Sequence, residues 1–462
     1  MQQGKIALDA IEKNRGKLWE LAKRIWDNPE GPNREYLACQ WSAEVLKDAG
    51  FDVEIGAGGL STAIKASFGS GSPVIGFLGE YDALRGLSQK AVPWKEPVAE
   101  GGWGHGCGHN LLGVGHIGAV IGLAREMQAE NMPGTIIYYG CPAEEVLTGK
   151  VFMAKAGAFD GVDLSVHWHP GSSNSVGTGC NIGLNSFKLH FKGRTAHAGG
   201  DPHNGRSALD AVELTNVGIQ YLREHVPSDV RIHYAITEGG IVPNIVPDKA
   251  SAWYFVRALT RQGVEDVYNR LLNIGRGAAM MTETEMTLEF LGGCYPTMNN
   301  TVLVNVIHEA MKEAPRDEWT DEDIEFAKTL SRTPGSHIEE TQKQMGIGPD
   351  EYLHNGVRPI VSETGHGSTD VGDICYMMPS VMFSTASSNL GSPGHSWQTT
   401  ACSGNPIGEK GMIYAARVMA LFALKALTNP AILTEAREEY EKATAGAPYA
   451  CPIPDDVKPP VD

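Results

Sequence analysis

Residues 110–145 read NLLGVGHIGAVIGLAREMQAENMPGTIIYYGCPAEE, and this stretch decides the predicted fold. Its first half is an apolar segment long enough for a helix, and its second half is a short apolar run that ends in two glutamates. A similar run, SPVIGFLGEYDAL (72–84), precedes it, and VDLSVHWHP (162–170) follows it. Strands that alternate with a helix in this order predict an α/β domain with a mostly parallel sheet.

The pattern changes after residue 183. Alternating runs such as SFKLHFKG and ASAWYFVRA are combined with the helical stretches SALDAVELTNVGIQYLREH and VEDVYNRLLNIGRGAAM. Strand, helix, strand, strand, helix and strand in this order are typical of a split βαβ, two-layer α+β domain. The first pattern resumes near residue 299. We therefore predict one α/β domain formed by residues 1–183 and 299–462, interrupted by an inserted α+β domain at 184–298.

The composition excludes two classes of partner. The chain has 462 residues, with 38 basic against 55 acidic side chains and a formal net charge of −17. Phosphate backbones and anionic lipids repel such a chain, so neither a nucleic acid nor a membrane is expected as a partner. We expect no signal peptide, because the N-terminus lacks an uninterrupted apolar stretch of about 7–15 residues. We expect no membrane span, because no apolar run approaches about 18 residues. The eight cysteines form no CxxC pair, which favours free thiols and a cytoplasmic location.

The densest chemical signal is GHGCGHN (104–110), where Cys107 and His109 stand two residues apart. The glycines allow tight backbone packing, so both side chains can converge on one point. Thiolate and imidazole groups suit zinc and related divalent ions. An isolated C-x-H, however, is more often a glycine-rich turn with an incidental cysteine and histidine.

Glu144 and Glu145 follow the apolar strand TIIYYG, at the end of a strand where open α/β sheets place their ligands. Alternation along a strand predicts that the two carboxylates point in different directions. One of them can then bind a metal while its neighbour holds a water. A solvated acidic loop is the usual alternative for such a pair, although the buried character of the preceding strand argues against it.

Two further clusters supply histidines. His167 and His169 share a face of one predicted strand, and Pro170 places His169 at its rim. His395 lies in GSPGHSW, a loop after the strand VMFSTA, where a lone histidine is usually a surface residue. Taken together, the four clusters bring cysteine, histidine and glutamate to strand ends of one sheet. This combination predicts a one- or two-metal site with a spare carboxylate.

The stretch 113–118 matches GxGxxG, which raises the alternative of a nicotinamide-dependent dehydrogenase. The dinucleotide fingerprint must follow a strand and open a helix. Here it lies inside a helix that has already begun. The position therefore disfavours nucleotide binding.

The order of these motifs resembles the M20 metallopeptidase family, in its amidohydrolase subfamily. The resemblance runs from about residue 10 to residue 430 and is carried by GEYDALRGLSQ, GHGCGHNLLG, CPAEE, HWHPG, FKGRTAHAGGDPHNGRSALDA, GGIVPNIVPDKA, GSTDVGD and GHSWQ. It implies a catalytic α/β domain interrupted by an α+β lid used for dimerisation. A homodimer through the inserted domain is therefore expected, or a heteromer with a paralogous subunit.

The resemblance also implies roles for individual residues. The implied metal ligands are Cys107, His109, Glu145, His169 and His395. Glu144 is implied as the general base and acid, and Asp82 as a carboxylate that orients a ligand. Two positions stay open, because His167 competes with His169 as a ligand and Glu80 stands where other branches have a metal-binding histidine.

Three implied residues lie in the inserted domain. His197 corresponds to a histidine that reaches the active site of the partner subunit and would help to stabilise the oxyanion. Asn244 and Arg257 fall near positions that hold the substrate carboxylate or the developing oxyanion.

The implied activity is metal-dependent hydrolysis of the amide bond of an N-acyl amino acid, with p-aminobenzoyl-glutamate as the leading substrate. One or two divalent ions per subunit are expected. The resemblance favours manganese, whereas the soft ligand Cys107 favours zinc. Other conjugates (indole-acyl or benzoyl amino acids, or dipeptides) are alternative substrates. A further alternative is a non-catalytic partner subunit of a paralogous hydrolase.

Overall fold

The computed structural model describes residues 4–459, which form two sheets and thirteen α-helices within that range. The helices are α1 Lys5–Asp27, α2 Tyr36–Asp48, α3 His109–Ala129, α4 Gly149–Lys155, α5 Ala208–Leu222, α6 Arg261–Thr282, α7 Thr301–Glu313, α8 Asp321–Ser331, α9 Ile338–Met345, α10 Val371–Cys375, α11 Trp397–Ser403, α12 Pro406–Thr428 and α13 Pro430–Thr444. The strands are β1 Asp52–Ile55, β2 Ile64–Ser70, β3 Val74–Glu80, β4 Leu84–Arg85, β5 Trp103–Gly104, β6 Gly134–Cys141, β7 Leu164–Gly171, β8 Ser175–Val176, β9 Gly183–Lys192, β10 Arg231–Glu238, β11 Lys249–Ala258, β12 Glu285–Cys294 and β13 Ser380–Ala386. Besides the two sheets, β4 and β5 pair as a short hairpin.

The larger sheet has seven strands in the order β1-β2-β6-β3-β7-β13-β8. Its four central strands, β6, β3, β7 and β13, are parallel to one another. Antiparallel pairs flank them: β2 pairs with β6 and β1 pairs with β2 on one side, and β8 pairs with β13 on the other. The predicted mostly parallel sheet is confirmed, and the parallel arrangement brings four strand carboxyl ends to one edge of the sheet.

Helix α3 packs closely on this sheet because glycines line its contact surface. A Cβ atom at Gly113 would lie 2.6 Å from the carbonyl oxygen of Glu80, and one at Gly115 would lie 2.6 Å from the ring of Trp168. The GxGxxG stretch therefore lies inside a helix, as predicted, and serves close packing. Its position does not fit a nucleotide-binding turn.

The inserted segment forms the second sheet, with the strand order β10-β11-β9-β12 and all pairs antiparallel. Helices α5 and α6 pack against each other and against this sheet. The order β9-α5-β10-β11-α6-β12 is the predicted split βαβ pattern. Buried residues of both sheets, including Tyr139 and Phe187, belong to one hydrophobic core cluster, and β10 is left as an edge strand.

Helix α12 corrects one expectation. By length and composition it is apolar enough to cross a membrane, although the sequence was expected to contain no such segment. However, 83% of its most apolar window is buried inside the protein, where the helix packs against α1, α3 and α7. It is therefore placed as a helix of the core.

Candidate metal centre

Ligand-type side chains converge at the carboxyl edge of the parallel strands. They form three groups, and within each group the ligand atoms lie within 4.8 Å of one another. The groups are Cys107, His109 and His169; Cys107, Glu145 and His395; and Glu80, His109 and Glu144. All five ligands implied by the resemblance are thus brought together, and Glu80 and Glu144 lie beside them.

The turn after β6 directs both glutamates towards this point. Ala143 has a left-handed backbone (φ 57°), and Glu144–Val146 then form a single 3₁₀ turn. The two carboxylates have different partners, but alternation along a strand is not the cause, because β6 ends at Cys141 and neither glutamate lies on it. Glu144 Oε2 lies 3.9 Å from His109 Nε2, and Glu145 Oε2 lies 3.6 Å from His395 Nε2.

Asp82 connects two members of the centre. Its Oδ1 lies 2.8 Å from His109 Nδ1, and its Oδ2 accepts a hydrogen bond of 2.9 Å from the backbone N–H of Glu145. A carboxylate on one nitrogen of a histidine fixes the tautomer and leaves the other nitrogen free for a metal. His109 Nε2 is that free atom, and it is buried without a hydrogen-bond partner.

His169 belongs to the donor groups and His167 does not. His169 Nδ1 lies 2.7 Å from the carbonyl oxygen of Pro170, and its Nε2 lies 3.3 Å from Cys107 Sγ. Burial lowers the pKa of His169 to about 4, which keeps the ring neutral, as a metal ligand must be. His167 turns instead to Glu80, with Nε2 3.0 Å from Oε1.

The chemistry of the donor set fits a cation. Glu80 Oε2, His109 Nε2 and Glu145 Oε1 are buried and have no hydrogen-bond partner, which is rare for polar atoms in a protein interior. Burial, with Glu145 next in effect, raises the pKa of the Cys107 thiol. Burial also raises the pKa of Glu145 to about 7. A divalent ion held by these residues would offset both penalties, because it would supply a compensating charge beside them.

The resemblance also assigns roles to three residues of the inserted domain. Among the residues that the structure describes, these three belong to none of the donor groups. His197 is exposed, and its Nδ1 accepts hydrogen bonds from the backbone N–H groups of Gly199 and Gly200 at 3.1 and 2.8 Å. Asn244 is also exposed, and its carbonyl oxygen accepts a hydrogen bond from the N–H of Ala198. Within one subunit, His197 and Asn244 therefore lie close together on the exposed surface of the inserted domain.

Arg257, on β11, faces the catalytic domain instead. Its Nη1 donates to Ser368 Oγ at 3.2 Å and to the carbonyl oxygen of His366 at 3.4 Å. Its Nε is buried without a partner, so one donor of the guanidinium is still available.

Two buried residues next to the centre were assigned no role from the sequence. The ammonium of Lys150 lies 2.5 Å from Glu80 Oε1 and 2.6 Å from Asp370 Oδ1. Asp370 belongs to the quoted motif GSTDVGD, which is the signal that could have found it. Lys150 follows a glycine inside an apolar helix, which gives no such signal.

An open α/β sheet with cysteine, histidine and glutamate donors at its carboxyl edge, interrupted by an α+β domain, has the architecture of a metal-dependent hydrolase. Residues 76–367, well over half of the chain, match the profile of peptidase family M20/M25/M40. The chain belongs to this family.

Among its relatives is a protein of Escherichia coli (strain K12) that is named as one of the subunits of p-aminobenzoyl-glutamate hydrolase. The two are 37% identical over 98% of this chain and 97% of the relative. The Xaa-Arg dipeptidase of Mus musculus is 26% identical over 94% of this chain and 91% of its own length. The solved structure of the Bacillus subtilis YXEP protein, described as a dinuclear metal binding peptidase from the M20 family, has a TM-score of 0.61 at 16% identity. It covers 90% of this chain and 99% of its own.

Proposed function

We propose that this chain is a metal-dependent amidohydrolase that cleaves p-aminobenzoyl-glutamate to p-aminobenzoate and glutamate. The observation that carries the proposal is the convergence of Cys107, His109, Glu145, His169 and His395 beside Glu144, from buried His109 to exposed His395. The identity of 37% over nearly the whole length of a relative named as part of that hydrolase supports the substrate.

Two divalent ions fit the two donor groups that share Cys107. One would be held by Cys107, His109 and His169, and the other by Cys107, Glu145 and His395. We propose manganese first and zinc next, since thiolate and imidazole ligands also suit zinc. We also propose that the chain works in the cytoplasm, where a reducing environment keeps Cys107 and the other cysteines as the free thiols seen here.

Glu144 is the proposed general base and acid. When bound, a divalent ion at this site supplies Lewis acidity that polarises the scissile carbonyl and acidifies a water. Glu144 takes the proton of the attacking water and delivers it to the leaving amine. Burial, with Glu80 next in effect, raises the pKa of Glu144 well above its usual value. A carboxyl group with a raised pKa is suited to carrying a proton in both directions near neutral pH.

A cavity of 370 Å³ opens beside His169 and is the proposed site of the acyl group. Val176, Met382 and Phe383 contribute apolar surface to its wall. Among the described residues that line it, Glu363 is the only acidic residue, and neither lysine nor arginine is present. Such a wall disfavours the carboxylate of the substrate. It suits an aromatic acyl group that carries an amine, because the amine can donate a hydrogen bond to the Glu363 carboxylate.

Met382→Trp is expected to fill part of this cavity. We expect kcat/KM for p-aminobenzoyl-glutamate to fall about tenfold or more, because a bulky side chain competes with the aromatic ring for space. Hydrolysis of N-acetyl-glutamate, whose acyl group is small, should change little. The matched control is Met280→Trp on the exposed face of α6, where Met280 is 82% exposed. An equal loss for both substrates would place the acyl group elsewhere.

Cys107→Ser is expected to lower metal affinity and turnover together. Serine removes the anionic sulfur donor shared by the two proposed ion positions, and ligand softness and charge both contribute to affinity. Metal content after dialysis and the rate of hydrolysis check this expectation. The control is Cys451→Ser, a half-buried cysteine outside the donor groups. Full metal content in the Cys107 variant would make this residue a packing group.

A substrate panel tests the proposed specificity. The metal-loaded protein is assayed with p-aminobenzoyl-glutamate, benzoyl and indole-acyl amino acids, and Xaa-Arg dipeptides. We expect the highest kcat/KM for p-aminobenzoyl-glutamate. A higher value for a dipeptide or for another conjugate would move the assignment to that substrate and keep only the amidohydrolase chemistry.

We further propose that the protein forms a homodimer through the inserted domain. The helix α5 exposes Val217 and Tyr221, and the edge strand β10 exposes Tyr234 and Ile236. Apolar residues beside an unpaired strand edge are suited to pairing with a second copy. The alternative is a heteromer with a paralogous chain, since the relative from Escherichia coli is named as a subunit.

A further inference from the structure

Lys150 is the only fully buried lysine among residues 4–459, and it lies directly behind the candidate metal centre. Its Nζ lies 2.5 Å from Glu80 Oε1 and 2.6 Å from Asp370 Oδ1, and its backbone N–H donates to Asp370 Oδ2 at 2.8 Å. Burial alone would lower the pKa of Lys150, but Asp370 and Glu80 outweigh burial and raise it well above its usual value. Two carboxylate oxygens in contact with its ammonium are the partners that a charged lysine needs inside a protein.

Glu80 presents two different oxygens. Oε1 is shared by Lys150 Nζ and by His167 Nε2, at 2.5 and 3.0 Å. Oε2 has no hydrogen-bond partner and lies 3.3 Å from His109 Nε2, which is also without a partner. Because Oε1 is occupied, the carboxylate cannot turn without losing two contacts. Oε2 is thus held facing the donor groups.

The buried carboxylates around Lys150 need a compensating positive charge. Glu80, Glu144 and Asp370 are buried close to one another and to Lys150. Glu80 and Glu144 offer oxygens that lie within 4.8 Å of one another, and Glu80 and Asp370 share the ammonium of Lys150. Buried carboxylates without a compensating cation destabilise a folded protein. A divalent ion compensates them only while it is bound, whereas Lys150 is always present.

We propose that Lys150 is a positioning residue whose ammonium compensates Glu80 and Asp370 and holds Glu80 Oε2 towards His109, so that the donor set stays assembled before a divalent ion binds. This inference rests on the proposed metal centre. It makes Glu80 a part of the centre, with one carboxylate oxygen directed towards the donor groups. It also predicts that Lys150 contributes more to stability in the metal-free protein than in the metal-bound protein.

The test is thermal unfolding of chelator-treated protein and of protein loaded with Mn²⁺ or Zn²⁺. The variants are Lys150→Met, Glu80→Gln and the double variant, and Lys150→Arg retains the charge. The matched control is Lys155→Met in the same helix, where Lys155 is exposed and donates to the backbone carbonyl oxygens of Ile453 and Pro454. The same samples are titrated with each metal to compare the rise in Tm.

We expect Lys150→Met to lower the Tm of the metal-free protein by about 5–10 °C, because a buried acid loses its cation. Metal should restore more of the Tm in this variant than it adds to the wild type, since the bound ion then faces Glu80. Glu80→Gln in the Lys150→Met background should recover part of the metal-free loss, and Lys150→Arg should lose less. Lys155→Met should shift both states little.

Equal losses of Tm with and without metal would overturn the inference, because they would indicate a contribution to packing alone. Strictly additive losses in the double variant would overturn it as well, since Glu80 and Lys150 would then act independently. If Lys150→Met fails to fold, the double variant and Lys150→Arg decide by the same criteria. A wild type whose Tm does not respond to either metal would refute the metal centre itself, together with this inference.

Discussion

Replacing Glu144 by glutamine is expected to lower turnover by about 10²–10⁴-fold while the metal stays bound. Glutamine keeps the size and the hydrogen-bonding capacity of the side chain but cannot accept and release the proton. Glu144 lies outside the two donor groups that share Cys107, so its carboxylate is not needed to hold either proposed ion. Metal content and rate, measured on the same preparation, check both halves of this expectation.

Glu145→Gln is the matched control, because it makes the same chemical change one residue further along the same turn. Glu145 belongs to a group with Cys107 and His395, so this variant is expected to lose metal first and activity as a consequence. Excess metal should rescue part of the Glu145 variant and none of the Glu144 variant. The reverse pattern would mean that the two roles are exchanged.

The second large effect is expected from mixing two inactive proteins, His197→Ala and Glu144→Gln. His197 is exposed and lies outside the donor groups of its own chain, which suits a residue that serves the partner subunit. In a mixed dimer, one site then receives both substitutions and the other receives neither. One of the two sites in the mixed dimer is therefore intact. Subunit exchange should restore up to about half of the wild-type activity, counted per site.

Each variant incubated alone under the exchange conditions is the control and should stay inactive. Exchange is followed independently with differently tagged subunits. Demonstrated exchange without any recovery of activity would place His197 in its own chain's site or outside catalysis.

The parallel strands and the inserted domain could be predicted because their patterns are local. Strands buried on both faces are continuous apolar runs, and the change from such runs to alternation marks the inserted sheet. Strand β2 was missed, although Ile64, Ala66 and Phe68 alternate with polar residues and carry the signal of a half-buried strand. The alternation is short, and the strand is stabilised by pairing between β1 and β6, which a single sequence does not reveal.

The site was predictable to the extent that its residues stand in dense clusters. Cys107 and His109 are separated by one glycine, and the strand ends that carry His169 and Glu145 meet through parallel pairing. The direction of Glu144 and Glu145 was not predictable, because it depends on the left-handed backbone at Ala143. Alanine rarely adopts that conformation, so the sequence gives no warning of it.

The contacts of Lys150 were equally hidden. Its two partners are 70 and 220 residues away in the sequence. A lysine in an apolar helix is expected to extend its side chain to solvent unless its partners are known. Long-range charge pairing of this kind becomes visible only in the folded structure.

The most direct test is the activity of this chain purified alone. The protein is stripped with a chelator, and release of p-aminobenzoate from p-aminobenzoyl-glutamate is measured before and after addition of Mn²⁺ or Zn²⁺. We expect no turnover without metal, turnover after reloading, and none in Glu144→Gln at the same metal content. Turnover that persists without metal, or that requires a second, paralogous chain, would contradict the proposal that this chain is itself a metal-dependent amidohydrolase.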